Sequence, residues 1–374
     1  MNLTFNKFEV SENKTVKYYY FLDLLRWIAA MSVVIFHYIL HFLFHPTEKS
    51  IYLYVDGSNN FINFIQSFVW STGIGGKAVW FFWCISGFVF TNILVNKELN
   101  LKEFSIKRFA RLYPLHFLTL IIVLILEIYS LYKFNEYQIQ GVYYDFYHFI
   151  LNIFFASGWE IFEKGYSYNY ISWSVSLEIP IYFSFFFIMF YIKKNYLIYI
   201  FILLIVLWSL IYAGYNKNLI ICFFYFIFGS FVYLFCSVFQ NYKKYLIILS
   251  IILFLFSFVA DDFEKLSLVS SISKYIPTLL ILFGSLLIFS YSIEDYLMFR
   301  KKLIFFGNNS YGIFLLSGPY QIFFLILVKL NILNTDFLYS FKSMIFFLVS
   351  LNLIAYLVFK SYENPLRKKL TSKL

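Results

Sequence analysis

The feature that most constrains this chain is a series of apolar runs, each about as long as a bilayer is thick. Runs at 24–45, 78–95, 113–132, 173–192, 196–213, 219–239, 276–293, 309–333 and 340–359 carry few charges. Roughly 20 such residues in a helix cover a hydrocarbon layer of about 30 Å. A tenth run, 245–260, is marginal, and 146–157 is too short to cross and reads as interfacial or re-entrant. In lipid every backbone N–H and C=O must be bonded within the protein, by helices or by a closed barrel. Continuous apolar runs of this length select helices, so the expected fold is an all-α polytopic membrane bundle of about ten transmembrane helices. Composition agrees: the 374 residues are 61% hydrophobic, 25% aromatic and 13% charged, about half the charge of a soluble domain.

An even number of crossings puts both ends of the chain on one side. With both termini cytoplasmic, the inside holds the four basic residues up to Arg26, five in 96–112, Lys193–Lys194, Lys243–Lys244, Arg300–Lys302 and five from Lys360 onward. These are 21 of 30 Lys and Arg, the bias expected of membrane orientation. The net charge of +10 therefore points to a lipid bilayer as partner and not to nucleic acid. The layout read from this is a cytoplasmic tail over 1–20, one transmembrane domain over 21–360 and a second cytoplasmic tail over 361–374. No removable signal peptide, internal repeat or soluble second domain is expected. Cys84, Cys222 and Cys236 lie in apolar spans without metal or redox spacing and read as small buried hydrophobes.

Ionisable groups inside a membrane are costly and usually face a bundle interior or an aqueous cavity. Asp23, Arg26, His37 and His41 fall within about 60° of one another on a helical wheel, a polar stripe on a greasy rod. Arg26 and His37 are separated by about three turns, roughly 16 Å along the axis. Arg26 can snorkel to the cytoplasmic interface as an anchor. His37 lies too deep for that, and a neutral imidazole suits general-base work or transient acyl carriage. His41 and His45 continue the spacing, but no further carboxylate or histidine pair completes a metal site, so no metal is expected. In "FSIKRFARLYP", read as a cytoplasmic loop, Lys107, Arg108 and Arg111 lie at helical spacing ahead of Pro114. They serve either as an inside-positive anchor or as a clamp for phosphates, which paired guanidiniums bind in bidentate fashion. Glu178 enters an apolar span in "SWSVSLEIPIY", Ser86–Gly87 suits close helix packing, and Glu127 sits in an apolar run with no identifiable partner.

Taken together these stretches resemble the membrane-bound acyltransferase 3 family, whose members move acyl groups onto carbohydrates and some other acceptors. "FLDLLRWIAAMSVVIFH" is similar to its opening motif of an arginine, ten residues and a histidine. "VWFFWCISGFVF", "KRFARLYP", "SWSVSLEIPIY", "NSYGIFLLSGP" and "YENP" resemble further family segments, in family order, over residues 21–365. The resemblance implies that His37 is the central catalytic residue and that Arg108 and Arg111 serve the acyl-CoA side. Two departures stand out. Leu24 and Trp27 occupy positions where the family usually has glycine, and Ser317 stands where it has a histidine, although Pro319 is kept.

The resulting expectation is an integral O-acyltransferase of the bacterial inner membrane, acetyl-transferring, that modifies a cell-surface or lipid-linked glycan. Acetyl-CoA or another acyl-CoA is the donor substrate, and no permanently bound cofactor is expected. His37, Arg26 and Glu178 are the expected catalytic residues; Lys107, Arg108, Arg111 and Ser86 are expected on the donor side. The carbohydrate acceptor would meet the segments 46–76 and 134–171, which are rich in Tyr, Trp and Asn. The rival reading is a transporter or flippase for glycans or lipid-linked sugars, with the buried Arg, His and Glu as a proton pathway.

Overall fold

The computed structural model describes residues 16–43, 73–97, 100–160, 165–192, 195–265, 276–338 and 340–372, with the isolated positions 64, 67 and 69. Helix α1 (Tyr20–Tyr38) runs into a π-helical turn, Ile39–Leu43. It is followed by α2 (Ile74–Asn96), α3 (Leu101–Phe134), α4 (Phe146–Ile153) and α5 (Trp173–Tyr191). Then come α6 (Tyr196–Tyr212), α7 (Asn218–Val238), α8 (Lys243–Lys265) and α9 (Ile276–Ile293). The chain ends in α10 (Arg300–Lys329), α11 (Phe341–Val358) and α12 (Asn364–Thr371). Nine helical segments are long and apolar enough to cross a membrane among the described residues, and α6, at 17 residues, is a tenth and shorter one. The fold is thus an all-α polytopic bundle, and the marginal 245–260 run lies within the spanning segment Gln240–Ala260.

Two boundaries differ from the sequence expectation. The "KRFARLYP" stretch is not a loop, because α3 starts at Leu101 and carries Lys107, Arg108 and Arg111 on its first turns. Lys, Arg, Leu and Ala all favour helix, and snorkelling side chains let the helix continue out of the apolar layer. Likewise α10 begins at Arg300, nine residues before the apolar run. The short run at 146–157 forms α4, whose buried side chains are polar, His148 and Asn152, while Phe146 and Tyr147 are exposed. Asp145 caps it, accepting from His148 N, and that bond chiefly holds the Asp145 carboxyl below the usual carboxylate range. A two-residue parallel pair, β1 (Val142–Tyr143) with β2 (Tyr166–Ser167), ties the same segment.

The chain packs as two compact units, interleaved in sequence. One comprises Met1–Arg26, Trp80–Ser105 and Leu177–Gly307; the other comprises Trp27–Val79, Ile106–Ser176 and Asn308–Leu374. The first unit is keyed by a close crossing of α2 and α7. A Cβ added to Gly87 would lie 1.8 Å from Phe226 O, and one added to Gly229 would lie 1.8 Å from Cys84 O. Only glycine at both positions lets the backbones meet. Thr91 Oγ1 reinforces the crossing, donating to Ser230 Oγ at 2.7 Å, and Phe90 stacks on Tyr182 at 4.3 Å. In the second unit Tyr38 donates to Leu338 O at 2.7 Å and Trp27 Nε1 donates to Asn352 Oδ1 at 2.9 Å. The bulky Trp27 therefore uses its polar edge to fix α1 against α11.

Candidate active site

His37 projects from α1 two residues before the helix widens into its π turn, a distortion common at functional positions. Its Nδ1 lies 2.9 Å from Val33 O. A carbonyl can only accept, so Nδ1 carries the hydrogen and Nε2 holds the lone pair of the neutral ring. Nε2 makes no hydrogen bond among the described residues, and the side chain is only partly buried. His41 stacks parallel to His37, with ring centroids 6.1 Å apart, and the edge of Tyr170 meets both rings at 5.5 and 5.0 Å. The Tyr170 hydroxyl donates a short bond to Gln321 Oε1. His45 lies outside the described residues.

Tyr170 is held in turn by a device built on proline. Pro319 inside α10 has no N–H to give the carbonyl four residues earlier, that of Leu315. Asn169 Nδ2 donates to Leu315 O at 3.0 Å and also to Thr119 Oγ1 at 3.1 Å. Gly318 makes room for it, since a Cβ there would sit 2.5 Å from Asn169 Oδ1. The same logic recurs in α5. Pro180 leaves Ser176 O without its helical donor, and Trp159 Nε1 supplies one at 3.0 Å. Ser317, where the resemblance expects a histidine, is fully buried and bonds Phe314 O at 2.7 Å. A hydroxyl spent on its own helix is no base.

One turn before Thr119 on α3 lies His116, fully buried and stacked on Phe155 at 4.1 Å. Its Nε2 donates to Asn152 O at 2.8 Å, while Nδ1 has no hydrogen-bond partner among the described residues. Asn152 Nδ2 bonds Ser167 Oγ at 2.8 Å, and Thr119 Oγ1, which accepts from Asn169, donates to His116 O at 3.0 Å.

At the basic end of the same unit three distant segments converge. Tyr311 donates to Leu112 O at 2.8 Å and Tyr362 to Pro114 O at 3.4 Å, both on the turn that contains Pro114. Glu363, 3% exposed, lies within electrostatic reach of Arg111 and Arg367. The "KRFARLYP", "NSYGIFLLSGP" and "YENP" stretches thus form one cluster, with a buried carboxylate beside Arg111.

The remaining expected residues belong to the first unit. Arg26 pairs with Asp23 at 3.4 Å, and Asp23, 2% exposed, also accepts from Tyr18 at 2.6 Å. Gly307 packs against that carboxylate so closely that a Cβ would lie 2.2 Å from its Cγ. Ser86 Oγ donates to Glu178 Oε2 at 3.1 Å, which unites two residues expected in separate roles. Of the expected set, His37, Lys107, Arg108 and Arg111 lie in the second unit, and Arg26, Ser86 and Glu178 in the first. Glu127, without a visible partner in the sequence, accepts from Gln138 N at 2.9 Å and Tyr144 at 3.0 Å. It anchors the segment after α3. Sequence reasoning passed over His116, Asn169, Tyr170 and Gln321. Only His116 carried a signal, as an ionisable side chain within an apolar run.

No curated protein and no solved structure matches the chain. The profile of one family, described as an acyltransferase domain, matches residues 19–359, nearly the full length, and takes in His37, the basic start of α3, Glu178 and the Gly318–Pro319 turn. The chain is a multi-pass membrane protein and belongs to the acyltransferase 3 family.

Proposed function

We propose that this acyltransferase takes an acetyl group from cytoplasmic acetyl-CoA and places it on a hydroxyl of a cell-surface or lipid-linked glycan in the bacterial inner membrane. The observation that carries the reading is His37: its tautomer is fixed by Val33 O, and Nε2 is left as the lone-pair nitrogen. Nε2 takes the proton of the sugar hydroxyl as that oxygen bonds to the thioester carbonyl. The C–S bond then breaks, the coenzyme A thiolate leaves, and it recovers the proton from the imidazolium, giving an ester and a free thiol. The arginines at the start of α3 supply charge-assisted bonds suited to the donor's phosphates.

Purified protein given acetyl-CoA and base-treated surface glycan is expected to release thiol and esterify the glycan. His37→Ala abolishes both, at unchanged expression and membrane insertion. A wild-type turnover in His37→Ala would overturn the assignment, and a wild-type protein that moves glycan across vesicles without releasing thiol would favour the flippase.

A further inference from the structure

The second unit contains a set of buried polar atoms that the chemistry at His37 does not use. His116 is fully buried, and because its Nε2–H is committed to Asn152 O, Nδ1 is fixed as an acceptor. Asn152, also fully buried, spends Nδ2 on His148 O and Ser167 Oγ, and its Oδ1 accepts nothing among the described residues. Gln321 accepts from Tyr170 but its Nε2 donates to nothing there, and Ser172 Oγ is likewise unpaired and buried. Asn169 Oδ1 has no such partner either, but it abuts Gly318 and belongs to the scaffold. Leaving such groups unmet inside a protein is unfavourable, because each has given up its hydrogen bonds to water. Hydrogen bonds link three of their residues' neighbourhoods: Asn152 to His116, His116 O to Thr119 and Thr119 to Asn169, while Tyr170, next in the chain, bonds Gln321 and meets the His37 ring. Two fixed acceptors, one amide donor and one hydroxyl call for a ligand rich in O–H groups that can also accept.

We propose that His116, with Asn152 and Gln321, binds the acyl acceptor itself, a polyhydroxylated molecule, with His116 Nδ1 accepting a hydrogen bond from a hydroxyl other than the one acylated. This rests on the function proposed above. His37 then acts on one hydroxyl of a sugar whose neighbouring hydroxyls are held from α3, α4 and α10, and His116 sets which hydroxyl is presented.

The test uses the two amides that each copy one nitrogen of a histidine. His116→Gln keeps a donor for Asn152 O and removes the Nδ1 acceptor; His116→Asn keeps an acceptor near Nδ1 and removes the tether. With base-treated surface glycan as acceptor, His116→Gln is expected to raise the glycan KM on the order of tenfold, the loss of one buried bond, with the acetyl-CoA KM unmoved. His116→Asn is expected to raise the glycan KM less than His116→Gln does and to lower the melting temperature. In His37→Ala protein labelled with [15N]histidine, adding glycan, but not acetyl-CoA, is expected to move the signal of a bare ring nitrogen, which needs no variant at His116. A wild-type protein that transfers nothing to the glycan overturns the proposed function, and this inference with it. Wild-type transfer combined with an unmoved glycan KM in His116→Gln, a parallel rise in both KM values, or a still nitrogen signal overturns this inference alone.

Discussion

Two arginines singled out by the sequence each stand beside a buried carboxylate, and that fixes how their substitution should be read. Arg26 pairs with Asp23 at 3.4 Å, and Glu363 lies within electrostatic reach of Arg111. Removing one partner of a buried pair costs about 3–5 kcal/mol, mostly for the charge left behind, whereas neutralising both costs far less. Arg26→Gln alone is therefore expected to lower the melting temperature, and adding Asp23→Asn to restore it. Activity that stays low in the stable double variant assigns Arg26 a role toward the donor; activity that returns makes it a counter-ion to Asp23. For Arg108 and Arg111, Ala substitution is expected to raise the acetyl-CoA KM more than it lowers kcat, each lost charge-assisted bond being worth about 1.5–3 kcal/mol. Arg111→Ala needs Glu363→Gln beside it for a fair reading. If donor kinetics stay normal in correctly inserted protein, the phosphate clamp fails and these residues serve orientation only.

At the scale of elements, the three prolines inside long helices are the most informative positions. Pro114, Pro180 and Pro319 each remove a backbone donor. A sequence shows which carbonyl is orphaned but not which side chain answers it, because the donors Trp159 and Asn169 come from other segments. That is why His37 stands out in the sequence as a candidate while the side chains around it do not. The histidine announces itself by being ionisable in an apolar run, whereas Asn169, Tyr170 and Gln321 are common residue types whose roles exist only once α10 meets the turn before α5. Pro319→Ala returns an N–H to Leu315 O, competes with Asn169 and frees Tyr170. Melting temperature is expected to hold or rise, since alanine favours helix by about 3 kcal/mol over proline, while kcat falls roughly tenfold for the loss of one positioning bond. An unchanged kcat would show that Asn169 does not set the site.

At the scale of the molecule, hydropathy alone recovered every long helix among the described residues, because lipid forbids the alternatives. It missed how far α3 and α10 continue beyond the apolar layer, since helix propensity rather than hydropathy decides those ends. The same continuation bears on orientation. Lys107–Arg111 begin α3, and the C-terminal segment returns to them through Tyr362 to Pro114 O and Glu363 to Arg111. Residues 362–363 and Lys107–Arg111 therefore lie at one end of the second unit. Further along α3, about 24 Å from Arg111 at 1.5 Å per residue, Glu127 holds Gln138 and Tyr144 of the segment that follows the helix. If the basic end is cytoplasmic, the segment after α3 faces outward. The native cysteines Cys84, Cys222 and Cys236 are buried and give little background, so single cysteines can report the sides. In intact cells an impermeant thiol reagent is expected to label Gln140→Cys and to spare Ser372→Cys until the membrane is opened. Efficient labelling at position 372 in sealed cells would invert the chain, put the arginines on the wrong side for a cytoplasmic donor, and remove the donor half of the proposed mechanism.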